Sequence, residues 1–146
     1  MKNQYFRDVS DYRKYGLLRI LGQGKMKLGV CWMLTEDDGR NDGKFRSYLQ
    51  NPVRYRWRDR ELFDWLRDGV GTDDIRSIEQ SGLLGKSTCF HTDFLTDASN
   101  ERVAYFDKWD RLSRGCDIVF LIPIMGSRSK SEKEKEIRAN MFITTS

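Results

Sequence analysis

The order of apolar and polar positions at the start of the chain predicts a helix. In the segment VSDYRKYGLLRILG we expect Ser10 to cap the N-terminus and Gly22 to end the helix. The apolar side of this helix consists of Val9, Tyr12, Leu17, Leu18 and Leu21.

Three short apolar runs predict strands. They are MKLGVCWML from Met26 to Leu34, STCFH from Ser87 to His91, and the segment CDIVFLI that begins at Cys116. The first run is apolar nearly throughout instead of alternating with polar residues. This pattern is typical of a strand that is buried on both faces of a parallel sheet.

Further helices are predicted between these strands. The segments RELFDWLRDG and TDDIRSIEQSG indicate two short ones, with Thr72 as the expected cap of the second. The segment DASNERVAYFDKWDRLSRG indicates a longer helix that Gly115 closes. Its expected apolar stripe is Val103, Phe106, Trp109 and Leu112. Helices that alternate with apolar strands predict an α/β fold, here a small, mainly parallel three-stranded sheet with helices on both faces.

The length of 146 residues is that of one domain. We expect this domain to occupy residues 1–126. The segment SRSKSEKEKE from Ser127 contains no apolar residue. Residues 127–146 are therefore expected to form a charged, disordered tail that adds nothing to the core.

The net charge narrows the classes of possible binding partner but does not identify one. A charge of +4 and an isoelectric point near 9.0 permit binding to nucleic acid or to a phosphorylated ligand and disfavour an acidic DNA mimic. The longest apolar run, Ile118 to Met125, is too short to cross a bilayer, and no secretory signal is evident. We expect a cytoplasmic protein with no membrane partner.

The cysteines are three in number and far apart in sequence. Cys31, Cys89 and Cys116 form no C-x-x-C pair, and His91 is the only histidine. Neither a structural zinc site nor a disulfide framework is expected from this pattern. The thiols are expected to be structural, and two of them lie in apolar strand-like runs, where a thiol is typically a small buried apolar group.

Four blocks of the chain together resemble a family of uncharacterised bacterial and phage proteins that are appreciably longer. The blocks are DYRKYGLLR, GVCWMLTEDDGRNDGKFRSYL, ELFDWLR and CDIVFL, within Asn3 to Leu121. The resemblance implies an α/β architecture and candidate positions but no activity. In that family the third strand leads into a D-P-D-N-G-type turn and later into an S-S-K-Y-type segment, whereas this chain continues with Ile122-Pro123-Ile124.

A frameshift explains this departure. With synonymous codons chosen for Ile122 to Thr145, one G added in front of them changes the reading to DPDNGIEVKIGKRKRNSSKYVYYD. Both family motifs reappear at their expected spacing, which favours a one-base frameshift between Leu121 and Ile122. A divergent C-terminus is the alternative. We expect a domain that is truncated at its C-terminus, with an uncovered sheet edge that promotes self-association or partner binding.

The loop TEDDGRNDG after the first strand is a candidate site, because ligands of open α/β sheets bind beyond the carboxyl ends of strands. Glu36, Asp37, Asp38 and Asp42 are candidate ligands of a divalent cation. Arg40 is a candidate phosphate ligand. The same composition is also typical of a solvated turn.

Basic residues elsewhere are candidates for phosphate binding. If RYRWRDR is extended, Arg54, Arg56 and Arg58 share one face, with Tyr55 and Trp57 on the other. Arg13 and Lys14 of DYRKY are further candidates. Both groups are equally compatible with solvated surfaces, and His91 with Asp93 is more typical of a structural histidine than of an acid–base pair.

Two functions remain open. In the longer relatives, two aspartates follow the third strand. If the first and third strands are neighbours in the sheet, these aspartates would lie beside the TEDDGRNDG loop. Together they would form a pocket for metal-assisted phosphodiester chemistry or nucleotide binding. We expect this chain to be a degenerate, catalytically inactive member that still binds nucleic acid or a nucleotide. The alternative is a non-enzymatic phage or mobile-element protein that binds and inhibits a host defence protein.

Overall fold

The computed structural model describes residues 1–24, 26–39, 44–69 and 73–123. The expected Thr72 cap, Arg40 and Asp42 lie outside this part of the chain, as does the expected tail. The helices and strands, in chain order, are α1 (Val9–Gly22), β1 (Leu28–Cys31), α2 (Pro52–Tyr55), α3 (Arg60–Asp68), α4 (Arg76–Gln80), β2 (Cys89–His91), α5 (Ser99–Ser113) and β3 (Ile118–Leu121).

The sheet has three parallel strands in the order β2-β1-β3. Gly29 pairs with Cys89 on one side and with Val119 on the other. The short strand β1 is therefore central, as its continuous apolar run predicts, and it is buried at every position. The predicted α/β class and parallel sheet are confirmed.

Helices cover both faces of this sheet, as predicted. Leu28 and Val30 belong to a large apolar core together with Leu18 of α1, Phe63 of α3 and Ile78 of α4. On the opposite face, α5 contributes a second, smaller cluster. Its members are Cys31, Leu95, Tyr105 and Trp109. Because side chains alternate along a strand, successive residues of β1 reach the two clusters in turn.

The N-terminal cap of α1 differs from the prediction. The carboxylate of Asp8 accepts hydrogen bonds from the backbone nitrogens of Ser10 (2.7 Å) and Asp11 (2.9 Å). Asp8 is therefore the cap, and Ser10 lies inside the helix. The two residues are both good caps, and sequence spacing alone did not separate them.

The buried side of α5 also differs from the prediction. Tyr105 and Trp109, four residues apart, are its buried residues. In the expected stripe only Trp109 is buried, and the other three side chains are exposed: Val103, Phe106 and Leu112. The prediction was wrong because the helix approaches the sheet along an i, i+4 row and not along the i, i+3 row that the apolar residues follow.

Within the described residues, β3 is an edge strand with β1 as its one neighbour. Val119 and Leu121 are 41% and 38% exposed, although both are apolar. They pair with Gly29 and Cys31, so their side chains lie on the sheet face that α5 covers elsewhere. An apolar strip of this sheet is therefore open to solvent. None of the described helices is long and apolar enough to cross a membrane.

Candidate functional site

The carboxyl ends of the three strands meet at one edge of the sheet, where open α/β proteins bind ligands. Since β1 lies between β2 and β3, the segments that leave β1 and β3 are neighbours. The backbone nitrogen of Ile122 donates to the Cys31 carbonyl at 3.0 Å and extends the pairing beyond β3. The neighbourhood of strands on which the phosphodiester hypothesis depended is therefore present.

The acidic loop after β1 is held by the N-terminal segment. The carboxylate of Asp37 accepts from the backbone nitrogen of Gln4 at 3.0 Å, and that of Asp38 accepts from the Gln4 side chain at 2.6 Å. Asp38 also forms an ion pair with Lys2. Both candidate metal ligands thus have protein partners, which the sequence did not indicate.

The predicted cation site is not assembled by the residues that the structure describes. No group of three or more metal-ligating side chains is present among them. Asp42 and Arg40 belong to the same loop but lie outside the described residues. A divalent cation at Asp37, Asp38 and Asp42 therefore stays a prediction.

Behind this loop, the first turns of α1 bury an unusual group of polar side chains. The Lys14 ammonium lies 2.7 Å from Oδ1 of Asp11, whose side chain is almost fully buried. Oδ2 of Asp11 and the hydroxyl of Tyr15 are both buried without a partner at hydrogen-bond distance among the described residues. Buried polar atoms without partners are rare in folded proteins and are typical of functional sites.

Burial dominates the electrostatics of this group. It raises the pKa of Asp11 to about 6, although the Lys14 ammonium pulls in the opposite direction. Burial also raises the pKa of Tyr15 well above its ordinary value, and the nearby charge of Asp11 raises it further. The two groups therefore interact, even though no hydrogen bond within 3.5 Å joins them. An aspartate that titrates near neutrality can exchange a proton with a ligand.

Thr35, in the segment that follows β1, is linked to this group through Met1. Its backbone nitrogen donates to the Met1 carbonyl at 2.8 Å, and its buried hydroxyl has no partner in the described part of the chain. Met1 in turn is electrostatically coupled to Asp11 and Lys14. We call Asp11, Lys14, Tyr15 and Thr35 the carboxyl-edge cluster. Sequence reasoning found only Lys14, because Asp11 and Tyr15 looked like ordinary helix residues.

The segment RYRWRDR is not extended, so the predicted strip of arginines on one face does not form. Tyr55 ends helix α2 and Arg56 continues the same turn in helical conformation. The guanidinium of Arg56 binds the Asp64 carboxylate with two hydrogen bonds of 2.7 and 2.6 Å. Asp64 is a nearby acceptor on the next helix, and Arg56 is engaged within the protein.

The remaining residues of this segment form an exposed surface. The Trp57 side chain is 74% exposed, and its ring nitrogen donates to the Arg54 carbonyl at 3.0 Å. The guanidinium carbon of Arg58 lies 5.4 Å from the centroid of the Trp57 ring. We call Arg54, Trp57 and Arg58 the basic–aromatic surface. An exposed aromatic ring flanked by arginines is the kind of surface on which an unpaired base can stack.

The carboxyl-edge cluster and the basic–aromatic surface are connected through the contact between helices α1 and α2. The Tyr12 hydroxyl donates to the Tyr55 carbonyl at 2.9 Å, which fixes α2 against the first turns of α1. The exposed Arg13 follows Tyr12 in α1. Arg13 and Lys14 thus lie on the helix against which α2 packs, and phosphate binding by these residues stays a prediction.

His91 is a buried core residue. Its ring stacks on Tyr105 at a centroid distance of 4.2 Å, and burial lowers its pKa. Asp93 is 3.5 Å from Nε2, which is too long for a strong hydrogen bond. The structural interpretation of His91 fits these contacts.

A surface cavity of about 330 Å³ lies at the opposite, amino edge of the sheet. Its walls include Arg19, Gly22 and Lys86. Arg19 is already bound to Asp59 and Glu61, at 2.8 and 2.7 Å. Since ligands of open sheets bind at the carboxyl edge, this cavity does not mark the candidate site.

Comparisons with known proteins give no further guide to the site. The chain matches no protein-family model, and no curated protein or solved structure is significantly similar to it.

Proposed function

We propose that the protein binds single-stranded nucleic acid through the basic–aromatic surface, as a degenerate member of a nucleic-acid- or nucleotide-directed α/β family. The observation that carries this proposal is the exposed Trp57 ring with the Arg58 guanidinium beside it. Unstacked bases pack on exposed aromatic rings, and adjacent arginines bind the phosphates between them.

The energetics of this arrangement favour a single strand over a duplex. Each base that stacks on an aromatic ring contributes roughly 1–3 kcal/mol, whereas a duplex keeps its bases stacked inside. Arg54 and Arg58 add phosphate contacts that weaken with salt. Arg56 is left out of this role, because its guanidinium already binds Asp64 through two hydrogen bonds, from Nε and Nη2.

The carboxyl-edge cluster is the proposed location of the family's chemistry. Asp37, Asp38 and Asp42 are the proposed metal ligands for phosphodiester chemistry or nucleotide binding, with Asp11 as a group that can hold or release a proton. In this chain the apolar Ile122 follows β3 at this edge, where the family has an acidic turn. We therefore propose that this chain binds its ligand without catalysing a reaction.

The test measures the affinity for a fluorescently labelled single-stranded oligonucleotide by anisotropy, over a series of salt concentrations. Trp57→Ala is expected to weaken binding roughly tenfold through the loss of stacking. Arg58→Ala is expected to weaken it less and to lower the salt dependence by about one phosphate contact. A duplex of the same sequence should bind more weakly.

Arg114→Ala is the matched control. Arg114 is exposed at the end of α5, so its removal changes the net charge by the same amount at a different surface. If it weakens binding as much as Arg58→Ala, the attraction is only that of a basic protein, and the assignment to this surface is wrong. If a mononucleotide displaces the labelled oligonucleotide at a concentration similar to that of the unlabelled oligonucleotide, the ligand is a nucleotide and not a strand.

A second candidate function is supported by the exposed apolar strip of β3. Val119 and Leu121 on an edge strand can pair with another chain, which suits a phage or mobile-element protein that binds and inhibits a host defence protein, or self-association. Leu121→Lys should abolish a stoichiometric complex seen by light scattering. If light scattering shows that the wild-type protein is a monomer and forms no complex, this function is contradicted.

A further inference from the structure

Two of the three cysteines face each other across the central strand. The sulfur atoms of Cys89, at the start of β2, and Cys116, just before β3, are 3.1 Å apart. Both residues are partly exposed, whereas Cys31 is buried. They are 27 positions apart in sequence and belong to different edges of the sheet, so the fold alone brings them together.

Gly29 of β1 makes this approach possible. A Cβ atom at Gly29 would lie 3.1 Å from the Cys116 sulfur and 3.0 Å from the Trp109 ring. The missing side chain opens the space above the central strand in which the Cys116 side chain crosses towards Cys89. The apolar strand pattern gave no sign of this arrangement, and neither of these two thiols is a fully buried apolar group. A structural role for the thiols stays a prediction.

We propose that Cys89 and Cys116 form a redox-active dithiol that small-molecule disulfides such as oxidised glutathione convert to a disulfide. One cysteine loses its proton and attacks a sulfur of oxidised glutathione, which forms a mixed disulfide and releases one glutathione thiolate. The second cysteine then attacks the mixed disulfide at the protein sulfur and releases the second glutathione. The protein thiols lose two hydrogens and two electrons, and oxidised glutathione gains them as two thiols.

The geometry requires only a small movement. A disulfide has a sulfur–sulfur distance of about 2.05 Å, so the two sulfur atoms must approach by roughly 1 Å. Cys116 lies outside β3, next to Gly115, whose positive φ of 82° marks a turn. Because Cys116 precedes β3, the approach can be made by its side chain and leaves the pairing between β1 and β3 in place.

The surroundings of Cys89 determine the pH at which its thiol reacts. Burial and the Cys116 sulfur raise the pKa of Cys89 to about 11, while the Lys27 ammonium acts in the opposite direction. The thiolate is the attacking species, so exchange is slow at neutral pH and faster at mildly alkaline pH.

The test incubates the folded protein with oxidised glutathione at mildly alkaline pH and identifies the products by peptide mass spectrometry. Wild type is expected to give an intramolecular disulfide between Cys89 and Cys116, which dithiothreitol reverses. Cys89→Ser and Cys116→Ser are each expected to stop at a stable mixed disulfide with glutathione, because the resolving thiol is absent. Cys31→Ala, the matched control, should still form the intramolecular disulfide.

Circular dichroism of each variant verifies that it is folded before the reaction. Two results would overturn the proposal. In the first, wild type accumulates a persistent mixed disulfide on either cysteine, as the single variants do. In the second, both thiols stay unmodified in folded wild type and react only after denaturation.

Discussion

The Lys14 ammonium lies 2.7 Å from Oδ1 of Asp11, while Oδ2 of the same buried carboxylate has no partner among the described residues. A carboxylate in this position is only half satisfied. Desolvation opposes its charge, and the Lys14 ammonium together with the backbone of Arg7 does not restore the whole loss. The pH dependence of stability therefore tests the carboxyl-edge cluster directly.

We expect Asp11→Asn to gain stability relative to wild type as the pH rises. The folded-state pKa of Asp11 is raised from 3.8 to about 6, so the folded protein holds a proton that the unfolded chain releases. The stability that this proton contributes is fully present below pH 3.8 and is lost as the pH rises through 6. The difference between the two proteins should change by on the order of 3 kcal/mol from pH 4 to pH 7. Urea unfolding at several pH values measures it.

Asp8→Asn is the control for this measurement. Asp8 caps the same helix, and asparagine caps helices as well as aspartate does. The Asp8 charge is one of the smaller causes that raise the pKa of Asp11, so the pH dependence of this control should be slightly weaker than that of wild type and much stronger than that of Asp11→Asn. His91 contributes equally in all three proteins. Parallel stability curves for Asp11→Asn and wild type would show that Asp11 is not protonated in the folded state near neutral pH.

Arg19 is the second buried charge of α1, and its removal is expected to destabilise the fold. Its guanidinium binds Asp59 and Glu61 and also donates to the Leu83 carbonyl at 3.1 Å. Arg19→Leu leaves these acceptors without their donor and should cost about 2–4 kcal/mol in the free energy of unfolding. Arg13→Leu, an exposed position of the same helix, should change it by less than about 0.5 kcal/mol. Equal effects would contradict this account.

The sequence predicted the sheet well because the decisive signal was strong. An apolar run as continuous as that of β1 has few explanations other than a strand buried on both faces. The packing of α5 was harder to predict, because two apolar rows were available on one helix. Only contact with the sheet selects Tyr105 and Trp109 over Val103 and Phe106.

The candidate site was predicted in part. Asp37 and Asp38 were identified because their loop follows the predicted strand β1, at the carboxyl end of which ligands bind. The strand order was left open by the sequence and comes from the structure. Their partners Lys2 and Gln4 come from the chain terminus, and no local rule connects residues so far apart. Burial of Asp11 depends on packing in three dimensions, and an acidic residue in the first turn of a helix is ordinarily exposed.

Gly29→Ala is expected to destabilise the protein by about 1–3 kcal/mol, since an added Cβ meets Trp109 and Cys116 at 3.0 and 3.1 Å. Gly16→Ala is the matched control. A Cβ at Gly16 of α1 meets nothing within 4 Å, so that change should stabilise the helix by roughly 0.5–1 kcal/mol. Thermal unfolding of the two variants should therefore shift in opposite directions. A neutral Gly29→Ala would mean that α5 moves freely against the sheet.

Ile122 offers a test of the proposed reading frame at the level of the protein. Ile118 and Phe120 pair with Leu28 and Val30 and pack against the core beneath α1, and Ile122, only 5% exposed, continues this side of the strand. The neighbouring ring of Trp32 contacts Tyr15 at a centroid distance of 6.0 Å. The restored reading would place an aspartate at this position.

If the family's packing is retained up to this edge, Ile122→Asp should be tolerated, at a cost below about 2 kcal/mol. An aspartate at this position would belong to the turn that leaves the sheet, where its carboxylate can reach solvent or the polar atoms of the neighbouring acidic loop. Val30→Asp, the control at a fully buried position of β1, places a charge among apolar side chains and should unfold the protein. Urea unfolding followed by circular dichroism separates these outcomes. Should Ile122→Asp unfold the domain as Val30→Asp does, Ile122 is an adapted core residue, and the frameshift proposal fails.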